Sequence, residues 1–136
     1  MAGILIVAHA PYATALRECL SHIYCGCPSH IGALDVEADQ DPAALLVAAR
    51  EQVQALREDN GMLVLTDLFG ATPSNIAAQL AAPDVRVLAG VNLPMLIKAV
   101  CYRTVPLETL VDKVLAGGAQ GILQVGACSA PTLQSS

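Results

Sequence analysis

The chain has 136 residues, enough for one domain with a real core, and 54% of them are apolar although aromatics make up only 3%. A net charge of −5 with seven scattered basic residues excludes a nucleic-acid partner, which requires clustered Lys and Arg. No apolar run approaches the ~20 residues that span a bilayer, and the N-terminal "MAGILIVAHA" lacks the basic region of a signal peptide, so a cytoplasmic protein is expected.

Strand and helix patterns alternate from the start. "GILIVA" (3–8) is a continuous β-branched run, as a strand buried on both faces shows, and it ends at His9. From Tyr12 the period becomes helical, through Leu16, Cys19, Leu20, Ile23 and Tyr24, with Gly26 as a stop. "HIGALDV" (30–36) reads as the second strand. Asp41-Pro42 supplies a cap and a first-turn proline for a helix carrying Leu45, Leu46, Val53 and Leu56 and stopping before Gly61. "MLVLT" (62–66) is a third strand, and Thr72-Pro73 repeats the cap-plus-proline signal for a short helix to about Ala82. "VRVLA" (85–89) is the fourth strand; Pro94 opens a helix to about Tyr102, and Pro106 opens another to Gly117.

"GILQV" (121–125) is a short last strand, placed at an edge, antiparallel, or on a neighbouring subunit. The tail "GACSAPTLQSS" (126–136) has no periodicity and is expected to be flexible. Residues 1–125 therefore form a single α/β domain, an open doubly wound sheet whose four main strands pair in parallel through right-handed crossovers.

In such a sheet ligands bind beyond the carboxyl ends of the strands, where the strand order reverses. His9 follows strand one and Asp67 follows strand three. A strand order of 2-1-3-4 makes those strands neighbours and brings imidazole and carboxylate together. A carboxylate on one ring nitrogen fixes the tautomer and leaves the other nitrogen's lone pair free to attack. In "DLFGATPSN" (67–75), Gly70 permits a tight turn, and Thr72 opens a helix whose N-terminal N–H groups and dipole favour an anion. Nucleophile, orienting acid and anion-binding terminus together describe a place to hold a phosphoryl group on histidine. Taken singly, each has a plainer role: a strand-end histidine is commonly structural, and Asp67 and Thr72 serve equally well as turn and helix caps.

Five cysteines without framework spacing read as reduced thiols. "HIYCGCPSH" (22–30) places His22, Cys25, Cys27 and His30 symmetrically, but Cys-x-Cys is tighter than zinc spacing and the four fall on different elements, so no metal is expected. Neither phosphate-binding glycine motif of nucleotide-binding proteins is present, so no nucleotide is expected.

"ILIVAHAPYA", "TDLFGATPSN" (66–75) and "AGVNLPML" (89–96) resemble, in order, the motifs of the mannose-family IIA component of the bacterial phosphoenolpyruvate-dependent sugar phosphotransferase system (PTS). The resemblance spans about residues 3–125. It implies four parallel strands plus a fifth, antiparallel strand exchanged between subunits of a homodimer, which accounts for "GILQV". It implies that His9 takes a phosphoryl group from the histidine-containing phosphocarrier HPr and passes it to a IIB component, without any cofactor. Asp67 would hold the imidazole, and Gly70, Thr72, Ser74 and Asn75 would surround the phosphoryl group. Contact with a membrane would be indirect, through a permease. The sequence departs from the family pattern at Phe69, Ala71 and Ser74, on the rim that meets the IIB partner. Two related readings stand beside this one. The first is a regulatory protein-binding module switched by phosphorylation of His9. The second is the phosphodonor subunit of a dihydroxyacetone kinase, which shares the fold and the histidine.

Overall fold

A computed structural model describes residues 1–126. Four parallel strands, β1 (Gly3–His9), β2 (Ile31–Val36), β3 (Met62–Thr66) and β4 (Val85–Ala89), form one sheet in the order β2-β1-β3-β4. Five helices connect and follow them: α1 (Tyr12–Ile23), α2 (Pro42–Leu56), α3 (Thr72–Ala78), α4 (Leu93–Cys101) and α5 (Leu107–Gln120). The connections leaving β1 and β3 run toward opposite edges of the sheet, as the 2-1-3-4 order requires.

Alternation along the central strands builds two cores. Ile4, Ile6 and Ala8 of β1, with Leu63 and Leu65 of β3, face the layer holding Leu16, Leu20, Leu96 and Leu110. Leu5, Val7, Met62 and Val64 face Leu45, Ala49, Val53 and Ile76 on the other side. Each fully buried aliphatic side chain contributes about 1.5–3 kcal/mol relative to exposure, so β1 and β3 anchor both layers and hold their carboxyl ends rigidly. The amino ends are tied by Arg103, whose buried guanidinium donates to the carbonyls of Ala2 (2.9 Å), Ser29 (2.7 Å) and His30 (3.0 Å). No helix among the described residues is long and apolar enough to cross a membrane.

Several boundaries differ from the sequence expectation. Ala71, extended at φ −83° and ψ 171°, is the cap residue of α3, and Thr72 is its first helical residue. That helix ends at Ala78 instead of near Ala82, because Ala82 and Val85 pair in a tight reversal through two 3.0 Å backbone bonds. The Asn92 side chain, two residues ahead of Pro94, caps α4 by accepting from the Met95 N–H at 3.0 Å. α5 runs past Gly117 to Gln120. A side chain at Gly117 or Gly118 would meet Lys98 or Met95 of α4, so these glycines permit close helix packing instead of stopping the helix.

Residues 121–125 form no strand within this single chain. Ile122, Leu123 and Val125 lie exposed, and among the described residues β4 has a neighbouring strand only on its β3 side. Residues 127–136, and with them nearly all of the expected tail, lie outside the described residues.

Candidate functional site

The register sets the site. Val7 of β1 pairs with Thr66 of β3, so His9 and Asp67 emerge side by side where these two strands end. The Asp67 carboxylate accepts three N–H groups. Oδ2 takes the His9 backbone N–H at 2.9 Å and lies 2.7 Å from His9 Nδ1; Oδ1 takes the Leu68 N–H at 2.8 Å. Burial alone would raise this carboxyl's pKa, but the bonds from the His9 backbone, the His9 ring and the Leu68 backbone outweigh it and hold it below the ordinary carboxylate value. An ionised acceptor at Nδ1 requires the proton to sit there, which leaves Nε2 with its lone pair. The His9 side chain is 52% exposed and that of Asp67 only 14%, so the imidazole reaches solvent while the carboxylate it contacts is sheltered.

The third sequence motif supports this pair from beneath. Gly90 donates to the Asp67 carbonyl and Val91 to the Thr66 carbonyl, each at 3.0 Å, fixing the turn after β3. The Tyr12 hydroxyl donates to the Val91 carbonyl at 2.9 Å, tying the start of α1 to the same turn. The N-cap of α1 is Pro11, which has no side-chain acceptor; Asp35 of β2 supplies one, accepting from the Thr14 N–H at 3.1 Å and from the Thr14 hydroxyl. The sequence by itself does not point to Tyr12, Asp35 or Asn92 as supports of this pair; the one local signal for Asp35 is the missing side-chain cap ahead of α1.

His9 and Thr72 line one cavity of about 320 Å³ together with Val36, Glu37, Gln40 and Pro42. The N–H groups of Thr72 and Ser74, at the first and third positions of α3, have no acceptor within the helix, and Pro73 between them carries no N–H. Gly70 has φ +88°, a left-handed conformation that a side chain would strain, and its carbonyl accepts from the Asn75 amide at 3.4 Å. The Ser74 residue is buried and its side chain is not part of the cavity wall; Asn75 is exposed, with its amide turned to the loop. The structure therefore brings His9, Asp67 and Thr72 together, and gives Gly70 and Asn75 the task of shaping the loop between them.

His22, Cys25, Cys27 and His30 converge on nothing comparable. His30 Nε2 lies 3.2 Å from Glu58, and no cluster of three potential metal ligands occurs among the described residues.

The EIIA-man family model, described as "PTS system fructose IIA component", matches residues 3–115. The PTS system fructose-specific EIIA component of Bacillus subtilis (strain 168) is 30% identical over 105 residues, covering 76% of this chain and 71% of the relative. Among solved structures, a phosphotransferase system component EIIA from Streptococcus agalactiae superimposes with a TM-score of 0.81 at 33% identity, over 91% of this chain and 97% of the other. The mannose/sorbose specific IIA subunit from Enterococcus faecalis shares the fold at 22% identity and a TM-score of 0.80, over 93% and 96%.

Proposed function

The chain belongs to the EIIA-man family of PTS IIA components, and on that premise we propose that it is a cytoplasmic phosphohistidine carrier, with His9 accepting a phosphoryl group from HPr and handing it to a IIB component. The observation that carries this reading is the 2.7 Å contact of His9 Nδ1 with Asp67 beside an exposed second nitrogen. The Nε2 lone pair attacks phosphorus, and the bond from phosphorus to the donor's nitrogen breaks, its electron pair returning to the donor ring. The Nδ1 proton stays on Nδ1, and the positive charge that the imidazole acquires is balanced by the Asp67 carboxylate. The Thr72 hydroxyl and the N–H groups of Thr72 and Ser74 receive the equatorial oxygens, where transition-state charge accumulates. Gly70 and Asn75 hold the loop that sets their distance from Nε2. Transfer to IIB is the same displacement with His9 as the leaving nitrogen.

The active form is a homodimer. Ile122, Leu123 and Val125 are exposed in the single chain, and among the described residues no strand pairs with the outer edge of β4; a second copy placing its residues 121–125 along that edge buries both.

Intact-mass measurement after incubation with phosphoenolpyruvate, enzyme I and HPr tests the carrier reading, with His9→Ala beside it. One acid-labile phosphoryl group on the wild type only is the expected result. An unmodified, folded wild type under a competent donor refutes it.

A further inference from the structure

Five residues connect β2 to α2, and the sheet roots them beside His9. His9 pairs with Val36 across β1 and β2, and the Ala10 N–H donates to the Val36 carbonyl at 2.9 Å, so the loop from Glu37 to Asp41 leaves the sheet next to the imidazole. Asp67 reaches the same ring from β3, the strand on the other side of β1. With Nδ1 held by that carboxylate, Nε2 at the far side of the ring points away from it.

The loop closes on itself through residues 37 and 40. The Gln40 N–H donates to the Glu37 carbonyl at 3.3 Å, and in return the Glu37 N–H donates to Gln40 Oε1 at 2.7 Å. A backbone N–H needs an acceptor, so the amide oxygen is the atom that faces the loop, and the NH₂ group keeps both protons for another acceptor. Gln40 is an exposed residue, and holding such a side chain in one place costs rotamer entropy, yet this bond fixes its amide in the wall of the cavity that His9 and Thr72 line.

That cavity is short of donors for an anion. A phosphoryl group carries about −1.5 to −2 charge at neutral pH, whereas the wall has no lysine or arginine and includes the Glu37 carboxylate. Apart from His9 itself, the side-chain donors in the wall are the Thr72 hydroxyl and the Gln40 amide, one carried by the connection after β3 and the other by the connection after β2. We propose that Gln40 is a phosphoryl-binding residue: its NH₂ group donates to an oxygen of the phosphoryl group on His9 Nε2 while its Oε1 stays on the Glu37 N–H. This rests on the carrier reading above.

Two substitutions divide the roles of the side chain. Gln40→Met has nearly the same shape and loses the donor and the loop bond together; Gln40→Glu keeps an oxygen for the Glu37 N–H and has no proton to donate at neutral pH. Single-turnover phosphorylation is followed by intact mass with two donors, phospho-HPr and the small molecule phosphoramidate, which needs no docking surface. With each donor, Gln40→Met slows modification of His9 about tenfold and Gln40→Glu slows it at least as much, and both variants melt near the wild-type temperature. In ¹H–¹⁵N spectra the Gln40 NH₂ signals, assigned by their absence from Gln40→Met, move downfield when His9 is phosphorylated. Gln40→Glu reacting at the wild-type rate overturns the inference, because the side chain then only closes its loop. Slowing with phospho-HPr alone also overturns it, since Gln40 then touches the partner instead of the phosphoryl group, and so do NH₂ signals that stay in place. A wild type modified on His9 by neither donor refutes the carrier reading itself, and the role of Gln40 falls with it.

Discussion

Replacing Asp67 by asparagine separates its shape from its charge. The carboxylate accepts three N–H groups, two on Oδ2 and one on Oδ1. An asparagine has one oxygen and one NH₂, so in either orientation an NH₂ faces a backbone N–H. With its oxygen toward His9, the donor collision falls on Leu68. With its NH₂ toward His9, the collision falls on the His9 backbone, and Nδ1 becomes the acceptor, which moves the ring proton to Nε2 and removes the nucleophile. Losing one charge-assisted hydrogen bond costs about 1.5–3 kcal/mol of stability, which in a domain of this size lowers Tm by about 5–10 °C. The reaction loses the carboxylate's neutralisation of the imidazolium as well, about 3 kcal/mol of transition-state stabilisation, or about 100-fold in rate. Single-turnover phosphorylation by phospho-HPr, quenched in base and followed by intact mass, reads that rate. A folded Asp67→Asn protein phosphorylated within threefold of the wild-type rate refutes the orienting role.

The Asp67 carboxyl is held below its ordinary pKa in the folded protein, so its contribution to stability is present above the unfolded carboxylate value and is lost as pH falls through the folded one. Chemical denaturation of wild type and Asp67→Asn at pH 7 and again near pH 3 is expected to show the gap between them narrowing in acid. Arg103→Met removes the guanidinium's bonds to the carbonyls of Ala2, Ser29 and His30, leaving His30 only the Ile4 N–H, and costs about 3–5 kcal/mol. Because that residue sits at the amino ends of the strands, the variant's phosphorylation rate stays near wild type wherever it remains folded, as thermal melts beside rate measurements at 15 °C will show. Leu123→Lys places a charge in the segment assigned to the neighbouring subunit, and light scattering at micromolar concentration should give a monomer where the wild type gives a dimer.

Much of the architecture is local information. The unbroken apolar runs 3–8 and 62–66 are strands because they are buried on both faces, and Met62–Thr66 and Val85–Ala89 begin and end where their composition changes. The prolines at 42, 73 and 94 mark helix starts because a first-turn residue needs no N–H. Helix ends and caps depended on neighbours distant in sequence. Gly117 looks like a stop, yet it lies against Lys98 of α4, and the donor groups at the start of α1 are met by Asp35, 21 residues away. The site shows the same division. That His9 and Asp67 stand at strand ends follows from the sequence alone; that they share a 2.7 Å contact depends on β1 and β3 being neighbours in register, a pairing made by two core layers across 58 residues of chain. Residue types and their periods are written along the chain, whereas which polar atom meets which is settled only when the sheet closes, because hydrogen bonds act over ångströms and the chain alone does not specify which distant segments come that close.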